Sequence, residues 1–418
     1  MRQTTTLRIA LILLLVLAVA AIAWGIRVST VPAPPSADDL FDDSVLHDIW
    51  LQLSAEDIER LRDQFTENTF YRADFAWRDV VVEDIGIRSR GGATRNPYKP
   101  GLLLDFNRFI PEQEFLGLTQ LVLDNAWHDE STLRERVAML LFRRMGVAAP
   151  REVHARLYIG GDRAYTGAYL IVEDIDERFL RRNFDDDDGY LFEYERVDGY
   201  HLEEIEWSPS EYARRFDPIT RQNDDPAVVF SALQQFITAT NSAGPERIAA
   251  AIAPYLDLNR FLAFVAVTNY LAVWDSFVGD LGMANFYMYQ LAGSTRFEFI
   301  PWDQDNAFAD VDWPIASGTA KNVLLRKIWA NPVTREQYLQ KLLEVADAAD
   351  GWLEEEIDRQ YLQIRAAVHA DPVKYRTNTE FEQTVATMRR FARERASRVR
   401  EMVTAERRKL TEATAVQP

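Results

Sequence analysis

The apolar and polar positions along the chain define its elements before any chemistry is considered. Residues 9–26 form an uncharged run of Leu, Ile, Val and Ala, preceded by Arg2 and Arg8. As a helix these 18 residues nearly span the ~30 Å hydrocarbon layer of a bilayer. The positive flank keeps residues 1–8 in the cytoplasm and sends the rest outward. Small-residue patterns at Ala18-Val19-Ala20 and Ala21-Ile22-Ala23 offer a signal peptidase a site. Residues 9–26 are therefore expected to be a transmembrane anchor or, second, a cleaved signal peptide. Residues 27–39 hold the stretch Val31-Pro32-Ala33-Pro34-Pro35-Ser36, a short extended linker.

The folded body is expected from residue 40. Ser54 followed by Glu56 and Asp57 has the form of a helix N-cap with first-turn acids, starting a helix that runs to Phe65. Across residues 74–106, short β-rich runs such as Val80-Val81-Val82 and Leu102-Leu103-Leu104 alternate with Gly and Pro, the pattern of hairpins. The period changes to helical at 131–145, where Leu133, Val137, Leu140 and Leu141 share one face and Gly146 follows as a C-cap. Strands are predicted at 154–159 and 167–172, a short helix at 176–183, and helices through most of 226–273. Two further strands, 285–290 and 296–300, flank a turn at Gly293. From 333 onward the pattern is helical and highly charged. The order of strands, helix, strands and helices predicts an α+β body over 40–330 and a helical C-terminal region over 331–418.

Composition narrows the chemistry. A formal net charge of −18 argues against a nucleic-acid partner and against docking on anionic lipid through a basic surface. With no cysteine, there are no disulfides, thiolate nucleophiles or cysteine-bound metals. The five histidines lack HExxH spacing, and neither a Gly-x-Ser-x-Gly elbow nor a Walker P-loop is present. Asp185 to Asp188 and the arginines Arg389, Arg390, Arg393 and Arg395 read as solvated charge.

The densest polar group in apolar surroundings begins Trp274-Asp275-Ser276-Phe277-Val278-Gly279-Asp280 and reaches Asn285 at the start of an aromatic strand, Phe286-Tyr287-Met288-Tyr289. After the next strand comes Ile300-Pro301-Trp302-Asp303-Gln304-Asp305-Asn306. A hairpin brings its two ends together, so these carboxylates and the Asn converge. Hard oxygen ligands so gathered suit Mg²⁺, which takes one or two carboxylates plus substrate phosphates. A further carboxylate can orient a hydroxyl nucleophile. Taken singly, each Asp or Asn here is a turn former; the grouping is what points to chemistry.

Trp-Asp-Ser-Phe, Asn-Phe-Tyr-Met-Tyr and Ile-Pro-Trp-Asp-x-Asp-x-x-Phe together resemble the signature of the CotH family, atypical kinase-like proteins named after a spore-coat protein. Gly86 to Thr94 with Tyr98-Lys99, Leu133-Arg134-Glu135, Met145 to Pro150, and Tyr165 to Tyr169 with Glu173 to Asp176 resemble further segments in the family's order. The resemblance implies an atypical protein-kinase-like fold that uses ATP with Mg²⁺ or Mn²⁺ and phosphorylates protein substrates in the envelope or on the surface. It implies Asp303 as the metal-binding acid, Asn285 as a second metal ligand, and Asp275 as the catalytic carboxylate. Asp280, five residues before Asn285, competes for that role, and Asp305 is either a metal ligand or a turn residue. Arg88, Arg90 and Lys99 would place cations on the nucleotide phosphates, while Gly91 and Gly92 admit backbone amides. Glu173 would pair with a phosphate-binding lysine or cap the helix at Asp176. The rival expectation is a non-catalytic envelope or surface assembly scaffold on the same fold.

Overall fold

The computed structural model describes residues 34–160 and 165–415. The expected anchor or signal at 9–26 lies outside the described residues. Among the described residues no helix is long and apolar enough to cross a membrane. The chain divides into two compact units, Met1–Leu40 and Phe41–Pro418. In the first, Ala37–Leu40 forms one helical turn. The second holds the other described elements, the helices beyond residue 331 among them.

The first half of the body is a closed barrel. Its strands are β1 (His47–Gln52), β2 (Tyr71–Trp77), β3 (Val80–Arg90), β4 (Gly101–Asp105), β5 (Gln120–Asp124), β6 (Glu152–Ile159) and β7 (Tyr165–Val172). They run in the order β1-β2-β3-β4-β5-β7-β6, and β6 closes the ring by pairing parallel to β1. Alternation sets the inner face: Tyr71, Ala73, Phe75 and Trp77 of β2 are buried while Arg72 and Asp74 face out. Phe75, Trp77, Phe106 and Phe115 pack edge to face or tilted inside the barrel. Helix α1 (Ala55–Asp63) follows β1, with Ser54 Oγ accepting from the Asp57 amide as its cap. Helix α2 (Arg134–Arg144) lies between β5 and β6. Sequence reading finds α1, α2, β6 and β7 but not β1 or β5, each too short to show a period.

Helix α3 (Glu177–Phe184), capped by Asp176, leads to the second sheet, β11-β10-β8-β9. This sheet is antiparallel and comprises β8 (Tyr190–Tyr194), β9 (Phe216–Pro218), β10 (Phe286–Gln290) and β11 (Phe297–Pro301). Helices α4 (Ser231–Ser242) and α5 (Leu258–Tyr270) come between β9 and β10. Helix α5 is buried all round from Phe261 onward, which accounts for its unbroken apolar sequence. Helices α6 (Val323–Ala330), α7 (Pro332–Ala349), α8 (Trp352–Ala370) and α9 (Asn378–Ala415) complete the body. Helix α7 packs on α5, and α9 packs on both α7 and α8.

One expectation is corrected here. Arg395, read as part of a solvated face, is fully buried. Its guanidinium donates to the carbonyls of Asn269, Tyr270, Val311 and Trp313 at 2.7–2.9 Å. It thereby ties α9 to the end of α5 and to the chain after Asp305. A 3.6-residue period reports which face is inward, and Arg395 shares that face with Phe391, Ala392 and Val399. The sequence shows the stripe, but not that carbonyls wait beneath it.

Arg395→Met keeps most of the buried volume but leaves those carbonyls without a charged donor. It is expected to cost about 3–5 kcal/mol in urea unfolding, whereas Arg390→Met on the exposed side of α9 stays within about 0.5 kcal/mol. Equal midpoint shifts for the two variants would refute the structural role given to Arg395.

Candidate active site

The β10–β11 hairpin builds one wall of the site. Its base is closed by the Trp302 amide donating to the Asn285 carbonyl at 3.1 Å, which brings Asn285 and Asp303 side by side. Both have left-handed backbones, φ 58° and 47°. Such conformations cost a non-glycine residue free energy and persist where the surroundings fix them. Here Gln304, itself buried, donates to the Trp302 carbonyl at 2.6 Å and holds the turn. The loop before β10 folds on itself: Ser276 accepts from the amides of Gly279 and Ala284, and Phe277 sits buried against Phe261, Phe264, Phe286 and Phe299. Asn285 Nδ2 donates to the Asp275 carbonyl at 2.9 Å. That aromatic anchor is why Asp-Ser-Phe occurs as a unit.

The opposite wall is the end of β3. Ile87 and Ser89 point into the barrel, so Arg88 and Arg90 share the outer face. The chain then turns at Gly91, φ 106°, where a Cβ would lie 2.5 Å from Thr94 Oγ1. Arg95 folds back over the turn. It donates to the Gly91 carbonyl at 2.7 Å and the Glu67 carbonyl at 3.0 Å, and also to Asn68 Oδ1.

Two connected spaces lie between the walls. An inner slot of about 60 Å³ is lined by Asp124, Glu135, Asp303 and Asp305 together with Arg90 and the Gly91-Gly92 turn. It opens into a cleft of about 490 Å³ that also has Arg90, Gly91, Gly92, Trp302 and Asp303 on its walls and adds Arg88, Arg95, Arg196, Asp275 and Asn285. The slot acids are crowded. Burial, then Asp124, pushes Asp303 up to about 6, with Arg90 opposing. Burial, then Asp303 and Asp124, pushes Asp305 up to about 9. Glu135 is raised further by burial and by Glu152, Asp124, Asp303 and Asp305. Among the described residues, no three His, Asp or Glu side chains form a group that could hold a metal ion. A Mg²⁺ ion here would have only Asp303 with Asn285 or Asp305 as protein ligands, within the one or two carboxylates that Mg²⁺ takes alongside phosphate oxygens and water. Carboxylates forced together beside an open slot fit such a cation.

The structure brings Asp275, Asn285, Asp303, Arg88 and Arg90 onto one cleft, with Asp305 on the connecting slot. Asp275 accepts from Arg196 Nη1 at 2.8 Å. Asp280 lies elsewhere: its side chain is 77% exposed and 3.7 Å from Lys321. Lys99 is also turned away. Its ammonium is buried 2.9 Å from Asp371, a residue of the α8–α9 connection that also accepts from the Ala168 amide. A Cβ at Gly167 would meet that carboxylate at 2.9 Å, so only glycine lets it approach β7. Glu173 pairs with Arg151 and Arg182, and the cap at Asp176 is made by Asp176 itself. Sequence reasoning assigned no role to Asp124, Glu135, Arg95 or Arg196. Glu135 alone left a signal, an acid on a helix otherwise buried from Val137 to Phe142. Asp124 ends β5 and Arg196 lies in the loop two residues after β8, so both look like ordinary turn residues.

A family model described as CotH kinase protein matches residues 87–399. The inner spore coat protein H of Bacillus subtilis is 23% identical over 304 residues, covering 70% of this chain and 79% of that protein. Among solved structures, HipA of Shewanella oneidensis MR-1, from a toxin–antitoxin complex with HipB and operator DNA, is 12% identical with a TM-score of 0.37, covering 85% of this chain and 74% of that one. The Helicobacter pylori proinflammatory kinase CtkA is 10% identical with a TM-score of 0.35, covering 76% and 94%.

A carboxyl group whose folded pKa is raised holds its proton more tightly when folded. Its stability contribution is present below the unfolded value, about 4, and lost as pH climbs through the folded value. For Asp303 and Asp305 that window runs from about 4 up to about 9, so the fold weakens as pH rises across it. Asp305→Asn removes the charge at constant shape. It is expected to leave the melting temperature unchanged at pH 4 and to raise it at pH 8, as read by calorimetry. The same shift at both pH values would exclude charge crowding as the cause.

Proposed function

The chain belongs to the CotH kinase protein family, and on that premise we propose that it is an atypical protein kinase acting at the cell envelope. It transfers the γ-phosphoryl group of ATP to a hydroxyl side chain of a protein. Asp303, with Asn285 and Asp305, would hold Mg²⁺ or Mn²⁺, which when bound would supply charge neutralisation at the phosphate oxygens. Arg90 and the amides of the Gly91-Gly92 turn take the phosphate chain between the barrel and the β10–β11 hairpin. Asp275 accepts the proton of the acceptor hydroxyl as its oxygen bonds to the γ-phosphorus and the bond to the β-phosphate oxygen breaks, releasing ADP. Arg196 fixes one oxygen of Asp275 and leaves the other for that proton.

The observation that carries this reading is the composition of one cleft. Asp303 at the end of the strained hairpin and Asp275, Glu193 and Glu195 share the cleft with Arg90, which makes no ion pair or side-chain hydrogen bond among the described residues and lies 5.5 Å from the Trp302 ring. In a chain of net charge −18, such a cation calls for an anionic ligand. An envelope location is supported by the positively flanked apolar stretch at 9–26 and by the coat-protein relative. The scaffold reading has one observation in its favour: among the described residues, no three carboxylates or imidazoles form a group able to hold a metal ion.

The test is transfer of labelled phosphate from ATP with Mg²⁺ or Mn²⁺, scored on the chain itself and on a generic acceptor. Asp303→Ala is expected to abolish transfer and Asp275→Asn to lower it by about 10²-fold or more. Asp280→Asn, on the solvent side, stays within about twofold. Asp280→Asn falling as far as Asp275→Asn would reassign the base. No transfer, together with no thermal shift from ATP, would leave the scaffold.

A further inference from the structure

Four arginines (Arg88, Arg90, Arg95 and Arg196) and four acids (Glu193, Glu195, Asp275 and Asp303) line the large cleft, and one phosphate chain at Arg90 leaves Arg88 without a role. Arg88 is two residues before Arg90 on the same face of β3, roughly 6.5 Å away along the strand. It lines the outer cleft with Asp275 and Arg196, and has no place on the inner slot beside Asp305. Its Nη1 donates to Asn68 Oδ1 at 3.1 Å and to the Ser89 carbonyl at 3.0 Å, while its plane lies over the Phe70 ring. The remaining Nε and Nη2 donors meet no acceptor among the described residues, and Asp105 acts on the group electrostatically without an ion pair to it among those residues.

Arg95 explains how such a group is held. Four of its donor contacts go to the carbonyls of Phe65, Glu67 and Gly91 and to Asn68 Oδ1. It is therefore consumed in pinning the Gly91-Gly92 turn to the loop after α1, and in orienting Asn68. Asn68 in turn orients Arg88. The result is a half-buried guanidinium, lowered by its own burial and then by Arg95 and Arg90, with a fork of donors open to the cleft.

Resting on the reading above, we propose that Arg88 and Asn68 form a second anion subsite that binds the acceptor polypeptide and not the nucleotide. It receives a phosphate or carboxylate borne by the acceptor near the reacting hydroxyl. The inner position, at Arg90 and the slot acids, is where the transferring phosphate must lie to reach Asp303. Arg88 is one strand repeat farther out, on the side where Asp275 meets the acceptor. In an extended peptide, side chains two residues apart lie on one face with about the same spacing as Arg88 and Arg90. The enzyme therefore selects a hydroxyl flanked by an acidic or already phosphorylated residue, and each transfer creates a better acceptor next to it.

The full chain, with Arg88→Ala and Arg88→Lys beside it, is given labelled ATP and a positional peptide library containing phosphoserine, aspartate, alanine or lysine around a central serine. The wild type is expected to favour phosphoserine or aspartate over alanine at a fixed offset by about tenfold, the size of one charge-assisted contact. The phosphoserine and aspartate arms separate phosphate from carboxylate recognition. Arg88→Ala flattens the preference and leaves the KM for ATP within about twofold; Arg88→Lys restores part of it. A raised KM for ATP with the peptide preference intact would hand Arg88 to the nucleotide and overturn the proposal, as would a wild type without acidic preference. A second readout needs no turnover: fluorescence anisotropy of a phosphoserine peptide against its unphosphorylated twin. Phosphopeptide binding lost in Arg88→Ala upholds the subsite even if phosphotransfer fails. No discrimination between the twins sinks it while leaving phosphotransfer to stand on its own test.

Discussion

The constraint on which this molecule turns is the burial of acids, with their mutual repulsion adding to it. Asp124 from β5, Glu135 from α2, Glu152 from β6, and Asp303 and Asp305 after β11 act on one another through a poorly solvated interior. Both Glu152 oxygens lack a partner, and Glu152 is pushed up to about 8, mainly by burial. An arrangement of this kind relaxes unless every element contributing an acid is fixed from outside. Much of the remaining architecture can be understood as that fixing: the closed barrel holds Asp124 and Glu152, the aromatic cluster around Phe277 holds the loop ahead of β10, and Gln304 holds the turn that carries Asp303.

Two buried cations extend the hold to the distant end of the chain. Arg395 reaches from α9 to carbonyls at the end of α5 and at Val311 and Trp313, bracketing the segment that follows Asp305. Lys99 meets Asp371 beneath β7, where Gly167 gives up its side chain to make room. Both pairings join residues far apart in sequence, and both place C-terminal helices in the job of holding the site. Helices beyond residue 331 are thereby joined to α5, β7 and the chain after Asp305.

What the sequence discloses, and what it conceals, divides along the same physical lines. Helices and strands with a clear period were legible: α1 through its Ser54 cap, α2 through the spacing of Leu133, Val137 and Leu141, and the β10–β11 hairpin through its aromatic run. The grouping of Asp275, Asn285 and Asp303 was legible because a hairpin must bring its ends together. Lys99 was not, since a lysine beside a glycine-rich turn looks the same whether it faces phosphate or a carboxylate 203 residues beyond Ala168. Asp280 misleads by spacing alone, because the loop's fold onto Ser276 decides which aspartate looks inward. Asp124, Glu135 and Arg196 come from three separate elements, and only the tertiary structure puts them beside the hairpin.

The carbonyls that Arg395 satisfies lie 125 and 126 residues upstream of it at Tyr270 and Asn269. A ribosome or translocation pore delivers them long before the arginine that completes them. Until α9 arrives, the end of α5 carries bare carbonyls and the acid-bearing segment has no rear wall. Completing the fold around the end of α5 therefore needs a contact between residues far apart in sequence, the kind of closure that slows folding. The protein is in effect timed by its own C-terminus: the acid-lined slot has its full support only once the last helix has been made.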